Sequence, residues 1–279
     1  MSDAVWLVVG ADGGIGRPLL ARLRAVGRPA VGTTRRADCD GLHLDLASHP
    51  DSWQLPDRVA VAYLCAAVTS IDACRRDPAG TRVVNVDRTL ALADQLQERG
   101  AHVIFLSTNQ VFDGTVPFRG EADAVCPLTE YGRQKADAEA ALLAAGDATV
   151  VRFTKVVPPE WPIVRNWRAA FERGEPVEAF GDMVLSPVPL PVATEALTRV
   201  GGKRPGGVIH VSGAEDCSYA EFARRLAATI CADPGLVRAV SCRERGIPAE
   251  AAPAHTALAT ERLVSELGLA APAASDLFL

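Results

Sequence analysis

Val5-Trp6-Leu7-Val8-Val9-Gly10-Ala11-Asp12-Gly13-Gly14-Ile15-Gly16, near the start of the chain, decides the reading of the fold. The apolar run from Ala4 to Val9 reads as a strand, and Arg17 to Val26 as the helix that follows. Between them the glycines stand at G-x-x-G-x-x-G. Glycine is needed where the turn is tight and where backbone must approach a pyrophosphate. The helix N-terminus then offers free N–H groups and the positive end of its dipole to that anion. Spacing alone is weak, because 23 glycines in 279 residues produce it by chance in roughly one chain in seven. Its place between the first strand and the first helix is what a dinucleotide site requires. Gly10, Asp12, Gly13, Gly14, Ile15 and Gly16 are therefore expected to line the phosphates.

Outward from this turn, short apolar runs alternate with amphipathic stretches. Strands are expected at Pro29 to Thr33, Gly41 to Leu44, Val59 to Ala66, His102 to Ser107 and Thr149 to Phe153. Helices are expected at Thr81 to Arg99 and Glu130 to Ala145. Such alternation gives a parallel sheet with helices on both faces. The strands barely alternate in polarity, as strands buried on both faces should. The pattern loosens after Val157, where Pro158, Pro159 and Pro162 interrupt it. A helix from Val164 to Arg173 is followed by proline-studded loops around Pro187, Pro189 and Pro191. A strand from Gly206 to Val211 and a helix from Tyr219 to Ala232 come next. The expected architecture is α/β: a Rossmann-type doubly wound parallel sheet with a smaller C-terminal substrate domain. The division falls between residues 1–157 and 158–279, and some later segments return to the sheet.

Composition narrows the function. The apolar fraction is 48%, the charged fraction 23% and the formal net charge −5. An acidic chain lacks the basic surface that nucleic acid or anionic membrane would demand, so neither is expected as a partner. The longest apolar run, Val59 to Val68, is far short of the roughly eighteen residues of a membrane span. The N-terminus has no basic region ahead of its first strand, so no signal peptide is evident. Seven scattered cysteines contain no C-x-x-C pair, and the five histidines no H-E-x-x-H, so no metal site is expected. A reducing, cytoplasmic compartment fits. The partner is a small molecule, and a homodimer is compatible with the sequence.

The second strand points to the cofactor. A Rossmann domain that prefers NAD places Asp or Glu at its end to bind the ribose 2′-hydroxyl. Here the run is Gly32-Thr33-Thr34-Arg35-Arg36, without an acid. An arginine fork holds a 2′-phosphate that a carboxylate would repel. Thr33, Arg35 and Arg36 are assigned to that end of the cofactor, and NADP (NADPH) is favoured over NAD. Asp45 and Leu46 are candidates for the adenine, and Ala66 and Ala67 for a small-residue wall.

Tyr131 and Lys135 stand four residues apart on an expected helix, hence on one face. With three tyrosines and three lysines in the chain, such a pair arises by chance in only about 3% of sequences. The phenol can protonate the oxygen of a carbonyl that receives hydride. A nearby ammonium favours the phenolate, which would make the phenol a stronger acid. Ser107-Thr108, at the C-terminal end of a strand, offers a hydroxyl to orient the carbonyl.

Taken together, Gly10 to Gly16, Ser107-Thr108-Asn109-Gln110-Val111-Phe112-Asp113-Gly114, Glu121 to Pro127 and Tyr131-Gly132-Arg133-Gln134-Lys135 resemble the dTDP-4-dehydrorhamnose reductase branch of the extended short-chain dehydrogenase/reductases. The resemblance implies an NADPH-dependent oxidoreductase that reduces a nucleotide-linked 4-ketosugar. It implies that Thr108 polarises the carbonyl, that Tyr131 donates the proton, and that Lys135 assists it and binds the nicotinamide ribose. Val68, Asn109, Gln110, Arg152, Thr154 and Lys155 become the substrate-side candidates. The chain departs from the family there: Asn109 and Gln110 replace an acid and an aromatic, Lys155 a tryptophan, and Met183 and Val188 a polar pair. Two alternatives remain. One is a reductase or dehydrogenase of another small carbonyl compound. The other is a non-catalytic NADP-binding regulatory subunit, as in the methionine adenosyltransferase beta subunit.

Overall fold

The computed structural model describes residues 4–36 and 41–278. Strand β1 (Val5–Val9) enters helix α1 (Gly16–Ala25) through the glycine turn, and β2 (Ala30–Thr34) and β3 (Leu42–His43) follow. After β4 (Val59–Leu64) come α2 (Ile71–Arg76), α3 (Pro78–Arg82) and α4 (Thr89–Gln97). A π-helical turn, Val83–Arg88, joins the last two. Then β5 (His102–Thr108), α5 (Glu130–Ala145) and β6 (Ala148–Phe153) complete the sequence-proximal half. The remainder runs β7 (Lys155–Val157), α6 (Pro162–Glu172), β8 (Val177–Phe180), β9 (Val184–Leu185), β10 (Pro187–Pro189) and α7 (Leu190–Lys203). It ends with β11 (Gly207–Val211), β12 (Cys217–Ser218), α8 (Tyr219–Thr229), β13 (Val237–Val240) and α9 (Glu261–Leu267).

Seven strands form one sheet in the order β11-β6-β5-β4-β1-β2-β3, all pairs parallel. The order reverses between β1 and β4, and ligands bind beyond the carboxyl ends of strands at such a reversal. Period-two alternation divides β1 between two cores. Trp6 and Val8 pack with Leu19 and Leu23 of α1 and Leu197 of α7; Leu7 and Val9 pack with Leu92 and Leu96 of α4 and Leu142 of α5. Each of these leucines is fully buried and contributes roughly 1.5–3 kcal/mol of transfer free energy. A separate C-terminal domain has its own core, in which α6 and α8 sandwich Trp167, Phe171, Phe222 and Leu226 with Val177 of β8 and Val237 of β13.

Two elements differ from the sequence reading. The stretch around Pro187 to Pro191 is not loop: β10 pairs with β7, and α7 begins at Leu190. Pro191 sits in the first turn of α7, where its missing N–H needs no partner. Helix Thr81 to Arg99 is not uniform either. The π turn inserts at Val83, and helical structure already begins at Pro78 under an Asp77 cap. No helix among the described residues is long and apolar enough to cross a membrane.

Candidate active site

The glycine turn is shaped by contacts that forbid side chains. Gly10 has φ +78°, and a Cβ there would lie 2.9 Å from the Cβ of Ala66. A Cβ on Gly16 would overlap the Gly10 carbonyl oxygen, whereas Gly14 faces open space. No side chain caps α1, and its first turn holds no acid. This open, uncapped helix start fits the phosphates of a dinucleotide. Thr33 is buried, and its Oγ1 accepts the Gly10 N–H at 3.2 Å. Its hydroxyl therefore holds the turn. Arg36 and Asp12 form an ion pair at 3.4 Å across the mouth of the turn, and Arg35 is exposed beside them. Asp45 caps its own loop through the Ala47 N–H at 2.9 Å, and Leu46 is buried in the core.

At the carboxyl end of β5 a cavity of about 510 Å³ opens. Thr108, Tyr131 and Lys135 all line it, with Ala67, Asn109 and Gln110. Thr129 caps α5 by accepting the Gly132 N–H at 3.0 Å, and its hydroxyl donates to Gln110 Oε1 at 3.1 Å. Gly132 leaves no room for a Cβ against the Gln110 carbonyl. The first turn of α5 is thereby pressed onto the segment after β5, and Tyr131 lines the same cavity as Thr108. Thr108 Oγ1 accepts the Gln110 N–H at 3.2 Å. Lys135 is 3% exposed, with its ammonium 3.8 Å from the ring centroid of Phe105.

Burial decides the ionisation. It is the main reason that the Tyr131 phenol lies above its ordinary range, with Cys74 adding to the effect. The expected acid-strengthening by Lys135 is not seen in the free protein, where burial and Cys74 both raise the phenol. Burial also pushes the Lys135 ammonium down to about 7, against the opposing charge of Glu139. A neutral phenol beside a lysine poised near neutrality is a proton donor with an adjustable cation.

Over residues 5–275 the chain matches the family described as the RmlD substrate binding domain. It belongs to that family. A dTDP-4-keto-6-deoxy-D-glucose reductase of Streptomyces niveus is 30% identical over 263 residues, covering 91% of this chain and 88% of that one. Among solved structures, a dTDP-4-dehydrorhamnose reductase of Bacillus anthracis in complex with NADP superposes with a TM-score of 0.83 at 20% identity. It covers 99% of this chain and 98% of its own. MoeE5 in complex with UDP-glucuronic acid and NAD gives 0.80 at 24% identity, covering 98% and 96%. These likenesses establish the fold: a Rossmann-type sheet with flanking helices and a separate C-terminal domain.

Within this family fold the substrate-side candidates separate. Arg152 does not reach the cavity: it is 4% exposed, its guanidinium grips Glu139, and Nη1 lies 3.3 Å from His210 Nε2. A strand-end position does not make a residue ligand-facing: β6 turns this side chain toward Glu139 of α5. Thr154 borders the cavity, but its hydroxyl is committed to the Ser186 carbonyl at 2.6 Å. Lys155 borders the cavity and is exposed, with its ammonium 5.6 Å from the Trp161 ring centroid. Val68 is not among the residues that line the cavity, though its neighbours Ala67 and Thr69 are. Its N–H donates to Asn85 Oδ1 at 2.8 Å, and its carbonyl accepts from Asn85 Nδ2 at 2.9 Å.

Asn85 escaped the sequence reading. It lies in the π turn, 1% exposed, and also donates to Gln134 Oε1 at 2.9 Å. Gln134 in turn donates to Thr81 Oγ1 and to the Pro78 carbonyl. The only hint in sequence was an asparagine amid an apolar helical run. The far wall was equally hidden. His255, Thr256 and Ala257 line the cavity because Asp216 accepts the Thr256 and Ala257 N–H groups at 2.9 and 2.8 Å.

Proposed function

We propose that the protein reduces the ketone of a nucleotide-linked sugar with NADPH. One observation carries the reading: a threonine hydroxyl, a buried neutral phenol and a buried lysine converge on one cavity beside a glycine turn fit for a dinucleotide. When bound, a reduced nicotinamide supplies hydride to the carbonyl carbon. Thr108 donates a hydrogen bond to the carbonyl oxygen and fixes its orientation. As negative charge grows on that oxygen, Tyr131 gives up its phenolic proton to it, so no free alkoxide forms. Lys135 is the cation beside the phenolate that results, and its charge lowers the cost of that step. Bound ligands that displace water from the cavity would strengthen each of these interactions.

The finer assignments follow from the same site. Gly13, Gly14 and Ile15 hold the pyrophosphate, with Gly10 and Gly16 shaping the turn. Arg35 and Arg36 face the adenosine 2′-phosphate, which makes NADP the preferred form. Lys155 makes no ion pair among the described residues and takes a negative group on the substrate, with Asn109 and Gln110 lining the same cavity. Residues 158–279 supply the substrate-binding part, and the protein works in the cytoplasm on a small molecule. The test is product analysis. Purified protein incubated with a dTDP-linked 4-ketosugar and NADPH labelled with deuterium at C4 should yield a carbinol carrying deuterium at the former ketone carbon. An unchanged ketosugar, with NADPH retained, contradicts the reading.

A further inference from the structure

Asp216, between β11 and β12, gives its two carboxylate oxygens different tasks. Oδ1 accepts the Thr256 N–H, the Thr256 hydroxyl and the Ala257 N–H at 2.9, 2.7 and 2.8 Å. Oδ2 faces Nδ1 of His255 at 3.3 Å. One oxygen holds the backbone of the segment, and the other holds an imidazole. The segment itself is stitched to the loop after β5. His255 N–H donates to the Gly114 carbonyl at 2.9 Å, Phe118 N–H to the Ala257 carbonyl at 2.9 Å, and Ala259 N–H to the Arg119 carbonyl at 3.1 Å. Gly114, at φ +68°, permits the approach, since a Cβ there would overlap Pro253. His255 is thereby fixed as a half-buried residue of the cavity wall, and nothing in the reaction above uses it. Its Nε2 makes no hydrogen bond among the described residues.

A neutral imidazole has one N–H donor and one acceptor nitrogen. A carboxylate only accepts, so Asp216 assigns the proton to Nδ1 and leaves Nε2 as the acceptor. Several other polar side chains of the cavity cannot take that role. Lys135, Lys155 and Arg119 only donate. Thr108 Oγ1 already takes the Gln110 N–H, Gln110 Oε1 the Thr129 hydroxyl, and Asp113 Oδ1 the Thr115 N–H. A sugar hydroxyl that accepts from a cation keeps a proton of its own, which needs an acceptor. We propose that His255 Nε2 accepts from a hydroxyl of the substrate's sugar, and that Asp216 is the positioning residue that fixes the imidazole in the tautomer this requires. The inference rests on the reading of the cavity as a ketosugar site.

Asp216→Asn separates the two tasks of the carboxylate. An amide oxygen in the place of Oδ1 keeps the segment's bonds, while the NH₂ in the place of Oδ2 donates to Nδ1. The imidazole proton then moves to Nε2, and the acceptor becomes a donor. His255→Phe removes the acceptor and leaves Asp216 holding the backbone, so it carries the test even where Asp216→Asn is unstable. Steady-state kinetics with NADPH and a dTDP-linked 4-ketosugar, at mildly alkaline pH, should show KM raised roughly three- to tenfold in each variant, the effect of one lost hydrogen bond. The kcat should stay within about twofold, because the contact is made equally before and during the reaction. Asp216→Asn should add nothing to KM in the His255→Phe background, since it acts through the imidazole. Calorimetric titration with dTDP, which lacks the sugar, should give equal affinities for all four proteins. An unchanged KM in His255→Phe, a loss of dTDP affinity as large as the rise in KM, or an additive effect of Asp216→Asn overturns the proposal. A wild type that turns over no nucleotide-linked ketosugar overturns the ketosugar reading itself, and this proposal with it.

Discussion

Arg152 holds the carboxylate of Glu139 from two sides, with Nε 3.1 Å from each oxygen and Nη2 2.7 Å from Oε2. Both side chains are 4% exposed, which makes the pair an internal one. Glu139 lies one helical turn beyond Lys135, and its charge opposes the burial that pulls the ammonium down to about 7. His210 completes the arrangement. Burial and then Arg152 push the imidazole down to about 3, so it stays neutral. Nε2 then accepts from Arg152, and Nδ1 donates to the Ala259 carbonyl at 3.0 Å. The arginine placed among substrate contacts by sequence thus acts two residues away from the chemistry.

Glu139→Gln should move the pH profile. Without the carboxylate the Lys135 ammonium loses its proton at lower pH, so the descending limb of kcat/KM shifts toward acid by about one unit. Breaking the internal pair costs roughly 3–5 kcal/mol, so the profile is measured well below the variant's unfolding temperature. A limb that stays in place would show that it does not report Lys135.

Lys135→Met should stabilise the free protein at slightly acid pH while abolishing turnover. Lys135 is held at about 7 in the folded state, below its unfolded value of about 10.4. Between those values the unfolded chain binds the extra proton, so the wild type gains stability as pH rises and is penalised below pH 7. Urea unfolding should find the variant more stable by on the order of 1–3 kcal/mol at pH 6, with the gap closing toward pH 10. A gap that is absent or independent of pH contradicts the burial argument.

How far the sequence reached is clear from particular residues. Tyr131, Lys135 and Gly10 to Gly16 were readable because each depends on local spacing: one helix face or one tight turn. Asn85 and Asp216 depend on what lies opposite them across the fold, and spacing carries no trace of that. Arg152 was misplaced for the same reason. A strand-end position says which edge a residue occupies but not which face it turns to, and Glu139 on α5 decides the face. Helix α7 was lost to its prolines, which mark loops in most contexts but are harmless in a first helical turn.

Arg35→Ala tests the choice of cofactor. Removing a guanidinium from the 2′-phosphate should weaken NADPH binding about tenfold and leave NADH nearly unaffected, since hydrogen bonds to charged groups contribute roughly 1.5–3 kcal/mol. Calorimetric titrations with both cofactors measure the ratio directly. Equal affinities of the wild type for NADPH and NADH remove the basis for the preference.

Lys155→Met tests the substrate side. If the exposed ammonium over Trp161 receives a negative group, the variant should raise KM severalfold for a carboxylate-bearing nucleotide ketosugar, spare kcat and leave NADPH affinity alone. A neutral ketosugar should be affected less. Equal effects on the two substrates, or none, would make Lys155 a surface residue that only borders the cavity.

The central claim is that Tyr131 protonates a sugar ketone in the cavity it shares with Thr108 and Lys135. The most direct measurement compares NADPH oxidation by wild type and Tyr131→Phe with a dTDP-linked 4-ketosugar at saturating concentrations of both ligands. The account predicts steady turnover by the wild type, and in the variant at least a roughly hundredfold lower kcat with NADPH affinity retained, the range for losing a general acid. A wild type that binds NADPH but does not oxidise it with any nucleotide-linked ketosugar, or a Tyr131→Phe variant with unchanged kcat, would contradict it.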